Sequence, residues 1–157
     1  MPEPLVDEIV LKIDQADKLF YRLVLVVAPS GSGKTTALRE VARRTKFPYI
    51  NVNLELSQRL LPLTERQRLL RVFRLLSEIV EGYSKAVILD NLEMLFDVSL
   101  KQDPLRLLQE ISRNKTVIAA WNGSIEKDYL TYATPDHPEY RRYPVRDFLV
   151  AGAEVTT

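Results

Sequence analysis

The chain contains no cysteine and a single histidine, His137. Disulfides, thiolate metal centres and histidine-cluster metal sites are therefore excluded, and the redox compartment is left unconstrained. Long apolar runs are missing too: none approaches the about 18 residues that a membrane helix needs. Neither sign of charge dominates, because 22 Lys and Arg stand against 21 Asp and Glu, a net charge of +1. That balance gives no reason of its own to invoke nucleic acid or an acidic substrate. The opening residues Met1-Pro2-Glu3-Pro4 are acidic, without signal-peptide character, so a cytoplasmic protein is the simplest expectation.

Glycine is also scarce, at five residues in 157. Two of the five stand in Ala28-Pro29-Ser30-Gly31-Ser32-Gly33-Lys34-Thr35, directly after the apolar run Leu23-Val24-Leu25-Val26-Val27. This reads as a strand entering a phosphate-binding loop. A triphosphate needs several backbone N–H groups converging on its oxygens, and glycines let a loop curl that tightly. The helix after the loop adds its positive N-terminal end. Lys34 then supplies a point charge for the β- and γ-phosphates, and Thr35 a hydroxyl for Mg²⁺. The expected nucleotide-binding set is Ala28, Pro29, Ser30, Gly31, Ser32, Gly33, Lys34, Thr35 and Thr36. Ala28 replaces the usual first glycine of this pattern, which is tolerable if that residue keeps a negative φ.

Periodicity predicts an amphipathic helix from Leu5 to Phe20 and a strand over Arg22–Ala28. A helix comes next, from Gly33 to about Thr45, then a short strand over Tyr49–Asn53. Thr64-Glu65-Arg66-Gln67 opens a long helix that stops at Gly82. Ala86–Asp90 is a third strand, and Asp103-Pro104 opens a helix to about Arg113. Thr116–Trp121 is a fourth strand, Ser124 a candidate cap for a helix toward Tyr132, and Arg146–Val150 a fifth strand after a proline-containing loop. Alternating strands and helices imply a three-layer α/β P-loop NTPase domain, with a mainly parallel five-stranded sheet covered on both faces. One domain over residues 1–157 is expected, an N-terminal helix in 1–21 and the nucleotide-binding core in 22–157.

A triphosphate loop needs an acid to hold Mg²⁺ from the end of a neighbouring buried strand. Asp90 ends such a strand, or alternatively caps the next helix. Many P-loop ATPases place glutamate immediately after this aspartate, but here that neighbour is Asn91. Glu93 is the nearest carboxylate, to be read as the group that handles the attacking water or as a solvated helix residue. Asn122 comes directly after the fourth strand and reads as a γ-phosphate sensor or, with Gly123, as a turn. Arg141 and Arg142 lie where related ATPases present an arginine to a neighbouring subunit's nucleotide, or are plain surface residues. Arg59, Arg66, Arg68, Arg71 and Arg74 stand against one acid, Glu65, in the segment 59–74. They form the solvated face of a cover helix, a partner-docking surface or a stripe for DNA phosphates.

With these motifs in place, the chain resembles the BrxF family of small P-loop ATPases of type III BREX phage-defence systems. The resemblance rests on overall length, on Ala28–Thr35, on Val87-Ile88-Leu89-Asp90-Asn91 and on Tyr132-Ala133-Thr134-Pro135-Asp136-His137-Pro138-Glu139-Tyr140. More broadly it looks like an AAA+ core without the helical lid, since about 35 residues come after Asn122. The leading expectation is an ATP- and Mg²⁺-dependent ATPase that acts through assembly with copies of itself, and the resemblance implies that it works beside other BREX components. An N-K-x-D guanine-specifying tetrad is missing, which favours adenine. Two further readings remain at this stage: a nucleotide-gated binding module with negligible turnover, and a small-molecule phosphotransferase.

Overall fold

A computed structural model of the chain describes residues 3–29, 31–82, 85–152 and 155–156. Five helices and eight strands are defined among them: α1 (Glu3–Ala16), β1 (Leu23–Ala28), α2 (Lys34–Thr45), β2 (Tyr49–Asn51), α3 (Val52–Leu60), α4 (Glu65–Glu81), β3 (Ala86–Asp90), α5 (Pro104–Ile111), β4 (Thr116–Glu126), β5 (Tyr129–Tyr132), β6 (Arg141–Pro144), β7 (Leu149–Ala151) and β8 (Val155–Thr156). Two 3₁₀ turns, Glu93–Phe96 and Val98–Leu100, separate β3 from α5.

The central sheet runs β2-β3-β4-β1-β7, with every neighbouring pair parallel. Its inner strands are apolar on both faces, as a strand covered from both sides must be. Leu23, Leu25, Val27, Val87, Leu89, Val117 and Ala119 pack with α3, α4 and α5. The intervening Val24, Val26, Ile88 and Ile118 pack with Val6 and Ile9 of α1 and Ala37, Leu38 and Val41 of α2. The expected three layers and five parallel strands are present. β4 lies between β1 and β3, so the ends of the three strands sit side by side at one edge of the layer stack.

Local chemistry fixes several boundaries. Thr64 and Gln67 form a reciprocal capping box at the start of α4. Asp103 caps α5 by accepting from the Arg106 N–H, with Pro104 in the first turn. Five expectations need correction. The first helix ends at Ala16, not Phe20, and Leu19 and Phe20 are exposed. β2 stops at Asn51, whose side chain accepts from the Leu54 N–H and starts α3. Val52, Leu56 and Leu60 are the buried side of that helix, a four-residue spacing that a strand reading of 49–53 obscures.

The third correction is the largest. Ser124 caps no helix: β4 continues to Glu126 and folds back antiparallel through β5, with Glu126 opposite Tyr129. Trp121 explains the hairpin. Its indole N–H donates to the Thr131 carbonyl at 3.0 Å, and its ring meets Phe96, Tyr132 and Tyr143 edge-on. Phe96 and Tyr132 stack at 3.5 Å and 8°. Gly123 lies inside this approach, where an added Cβ would stand 1.8 Å from the Thr131 carbonyl oxygen. Gly123 is therefore a close-contact glycine in a strand, not a turn residue. Fourth, Arg141 and Arg142 belong to β6, an antiparallel partner of β5, and not to a loop. Last, the fifth parallel strand is β7, Leu149–Ala151, later than the expected 146–150.

Candidate functional site

β1 delivers its last residue, Ala28, into register with Asn122 of β4. Ala28 is extended and not among the residues with positive φ, so the alanine at this point costs the loop nothing. Gly31 and Gly33 do take positive φ, 79° and 94°, and a Cβ added at either would meet no atom within 4 Å. These two residues give the loop a curl that L side chains rarely adopt, with open space over it. Ser32 Oγ donates back to the Pro29 carbonyl at 2.6 Å and closes the curl. Ser30 lies outside the described residues. The first turn of α2 receives no side-chain cap, since Gly33 occupies the cap position. A helix start of this kind offers backbone N–H donors to anionic oxygen.

Lys34, in the first turn of α2, is only 6% exposed. Its ammonium donates to the Ala28 and Pro29 carbonyls, both at 2.8 Å. Burial lowers its pKa, while the nearby carboxylates of Asp90 and Glu93 act in the opposite sense. Lys34 bonds to Ala28, whose β4 partner Asn122 holds Glu93, and the adjacent Thr35 bonds to Asp90, so the three charged groups share one site. Thr35 Oγ1 donates to Asp90 Oδ2 at 2.7 Å, so the hydroxyl and carboxylate expected at a metal are in direct contact. Thr36, next along the helix, is exposed.

Asp90, the last residue of β3, is buried, and its other oxygen accepts the Asn91 N–H at 2.9 Å. Asn91 turns the chain with φ 58°, which puts Glu93 at the head of a 3₁₀ turn. Glu93 is held from two sides. Oε2 accepts from Asn122 Nδ2 at 2.6 Å, and Oε1 accepts from Asn53 Nδ2 at 2.9 Å. Asn53 Oδ1 in turn accepts from the Met94 N–H.

Asn53 and Tyr49 join the site without any motif in the sequence to mark them. Tyr49 donates its hydroxyl to Asp90 Oδ2 at 2.6 Å, and its pKa is raised by burial and by that hydrogen bond. For Asn53 the available signal is position, since polar residues beyond the carboxyl end of a parallel strand face the ligand crevice of an α/β sheet; Tyr49 opens β2 and carries no such signal.

The arginines separate into different environments. Arg141 donates to the Gln102 carbonyl at 2.8 Å, and Arg142 lies over the Tyr129 ring at 3.5 Å. Among the described residues, neither hydrogen-bonds to Lys34, Asp90, Glu93 or Asn122. The basic segment does not form one uniform stripe. Arg59 pairs with Glu55 and Arg74 with Glu78, while Arg68 donates to the Leu60 and Leu63 carbonyls and closes the α3–α4 turn. Arg66 and Arg71 are exposed.

The residues fit a magnesium-bound nucleoside triphosphate on three counts: an uncapped helix start, a glycine-built curl with open space, and a buried ammonium beside a hydroxyl–carboxylate pair. No helix among the described residues is long and apolar enough to cross a membrane. No curated protein has a matching sequence. Among solved structures, PCH-2 of C. elegans is similar over 76% of this chain and 36% of its own, with 17% identity and a TM-score of 0.46. The chain thus spans little more than a third of that protein's length. Residues 24–122 match the family described as "ATPase family associated with various cellular activities (AAA)", a segment that includes Lys34, Thr35, Asp90, Glu93 and Asn122. With more than half of its length in that match, the chain belongs to the AAA family of ATPases.

Proposed function

We propose that the chain is a Mg²⁺-dependent ATPase module whose sites are completed between copies of itself, acting within a BREX phage-defence system. The observation that carries the enzymatic part is the convergence beyond the carboxyl ends of β1, β4 and β3: Lys34 on the Ala28 carbonyl, Asn122 on the Glu93 carboxylate and Thr35 on Asp90. The defence-system part rests on the resemblance of the loop, the Asp90 strand and the segment 132–140 to the BrxF family.

In this reading the loop amides and Lys34 hold the phosphates, and Thr35 with Asp90 holds Mg²⁺, directly or through its waters. Bound there, the cation offsets charge that develops on the phosphoryl oxygens. Lys34 must exchange its bonds to the Ala28 and Pro29 carbonyls for phosphate oxygens, which two acceptors on its own loop make nearly even in bond count. Glu93 is the base for the attacking water, and Asn122 and Asn53 fix its orientation. Arg142 of an adjoining copy is the exposed cation that completes the site.

Phosphate release from Mg-ATP, measured over a wide range of protein concentration beside Lys34→Ala, tests the proposal. Specific activity should rise with concentration and vanish in the variant. The double amide hold on Glu93 favours one second reading, a nucleotide-gated binding module at rest. Tight ATP binding without turnover at any concentration would establish that reading in place of the first.

A further inference from the structure

Asp90 Oδ2 accepts two hydroxyl protons, from Thr35 at 2.7 Å and from Tyr49 at 2.6 Å. A carboxylate oxygen has two lone pairs in its plane, so this oxygen is saturated. Oδ1 takes the Asn91 N–H and keeps one acceptor position. Three donors, from α2, from β2 and from the turn after β3, thus fix a buried carboxylate in one rotamer. Removing the phenol leaves the buried oxygen with only the Thr35 hydroxyl and lets the carboxylate turn.

Tyr49 is aimed by its strand. It pairs with Ile88 in the β2–β3 register, and Ile88 and Asp90 alternate onto the same face of β3. That face is the one α2 covers, and Tyr49 packs against the cluster that contains Ile88 and Ala37, Leu38 and Val41 of α2. The side chain is long enough to reach along β3 from the level of Ile88 to Asp90. Arg39 of α2 sits 5.3 Å from the centre of the Tyr49 ring. It lies four residues beyond Thr35, so α2 presents both on one side. A guanidinium beside the phenol strengthens the phenol as a donor to an anion. The result is a line of contacts from exposed Arg39 through Tyr49 and Asp90 to the Thr35 hydroxyl.

We infer that Tyr49 is a positioning residue for the Thr35–Asp90 pair, and that Arg39 supports it from outside. Holding Oδ2 toward Thr35 commits the Thr35 proton to Asp90 and leaves the threonine lone pairs directed away from the carboxylate, free for a cation. The inference rests on the proposed role of Thr35 and Asp90 toward Mg²⁺. It adds a partner from an edge strand that no feature of the loop itself requires.

Calorimetric titration with ATPγS, once in EDTA and once in Mg²⁺, separates the two ideas. In Tyr49→Phe, affinity in Mg²⁺ should fall about tenfold, the lower end of what loss of an outer-shell partner costs a metal. Affinity in EDTA should stay at the wild-type value, whatever the loss of one hydrogen bond to a buried carboxylate does to the melting temperature. Arg39→Ala, at an exposed position, should show a smaller loss in the same sense. Full retention of the Mg²⁺ effect in Tyr49→Phe would overturn the inference and leave the parent reading standing. Equal losses in EDTA and Mg²⁺ would also overturn it, by making Tyr49 structural. Wild-type protein that binds ATPγS equally with and without Mg²⁺ would overturn both.

Discussion

Asn122 Nδ2 donates to Glu93 Oε2 across 2.6 Å, joining the end of the β4 core to the first residue of the turn behind β3. Asn122 and Glu93 are thereby one unit, although 29 residues separate them. Asn53 holds the second oxygen, so Glu93 cannot swing to solvent without losing two amides.

Glu93→Gln should therefore separate binding from turnover. The amide preserves the shape of the side chain, removes its ability to take a proton, and keeps one oxygen to accept from Asn122 or Asn53 while its NH₂ loses the other bond. Phosphate release is expected to fall by about 10²–10⁴-fold, the usual worth of a positioned base, with ATP affinity close to wild type. Hydrolysis at the wild-type rate would remove Glu93 from the mechanism.

Gly123→Ala tests how the hairpin holds Asn122 in place. An added methyl would stand 1.8 Å from the Thr131 carbonyl oxygen and 3.0 Å from the Trp121 indole nitrogen. The oxygen is backbone and already accepts the indole N–H, so β4 and β5 must part. The expected cost is about 3 kcal/mol or more, at the upper end of overpacking, read from urea midpoints at constant m. An unchanged midpoint would show that the two strands separate freely at this level.

Much of this architecture is legible from residue order alone. The run 23–35 specifies strand, curl and helix locally, because β-branched residues, two close glycines and a 3.6-residue apolar period succeed one another without conflict. Asp90 is legible for the same reason, as a lone acid ending an apolar strand. The β4–β5 hairpin is not. Its turn residues, Lys127 and Asp128, are not the usual glycine pair, and Lys127 itself takes φ 58°. The pairing is carried by Trp121, Tyr132 and Phe96, which meet only in three dimensions. Tyr49 and Asn53 are hidden by strand order: nothing near residue 50 says that β2 lies beside β3.

Tyr132 gives the fold a sensitivity to alkaline pH. Burial first, then the Glu139 and Glu93 carboxylates, push its pKa up to about 12 from an ordinary value of 10.0. The folded chain binds that proton more tightly than the unfolded chain, so the contribution is complete below pH 10 and is lost as pH climbs toward 12. Tyr132→Phe keeps an aromatic ring stacked on Phe96 and removes the titration. Its unfolding midpoint should decline less steeply than wild type between pH 10 and 12. Parallel declines would assign the alkaline loss to other groups.

The arginine contribution can be tested by mixing two inactive proteins. Arg142 is exposed on β6, outside the matched family segment, and rests on the Tyr129 ring without an acidic partner among the described residues. If it acts on an adjoining copy, Arg142→Ala should lose about 10³-fold in turnover and still bind ATP. Lys34→Ala should fail to bind ATP but still present Arg142. Neither variant would release phosphate alone, whereas a mixture would pair an intact loop from the first with an intact arginine from the second. Recovered activity that peaks near equal proportions would locate the arginine in trans. Wild-type turnover by Arg142→Ala alone would make it a surface residue, and two inactive proteins that stay inactive when mixed would place its action within its own chain.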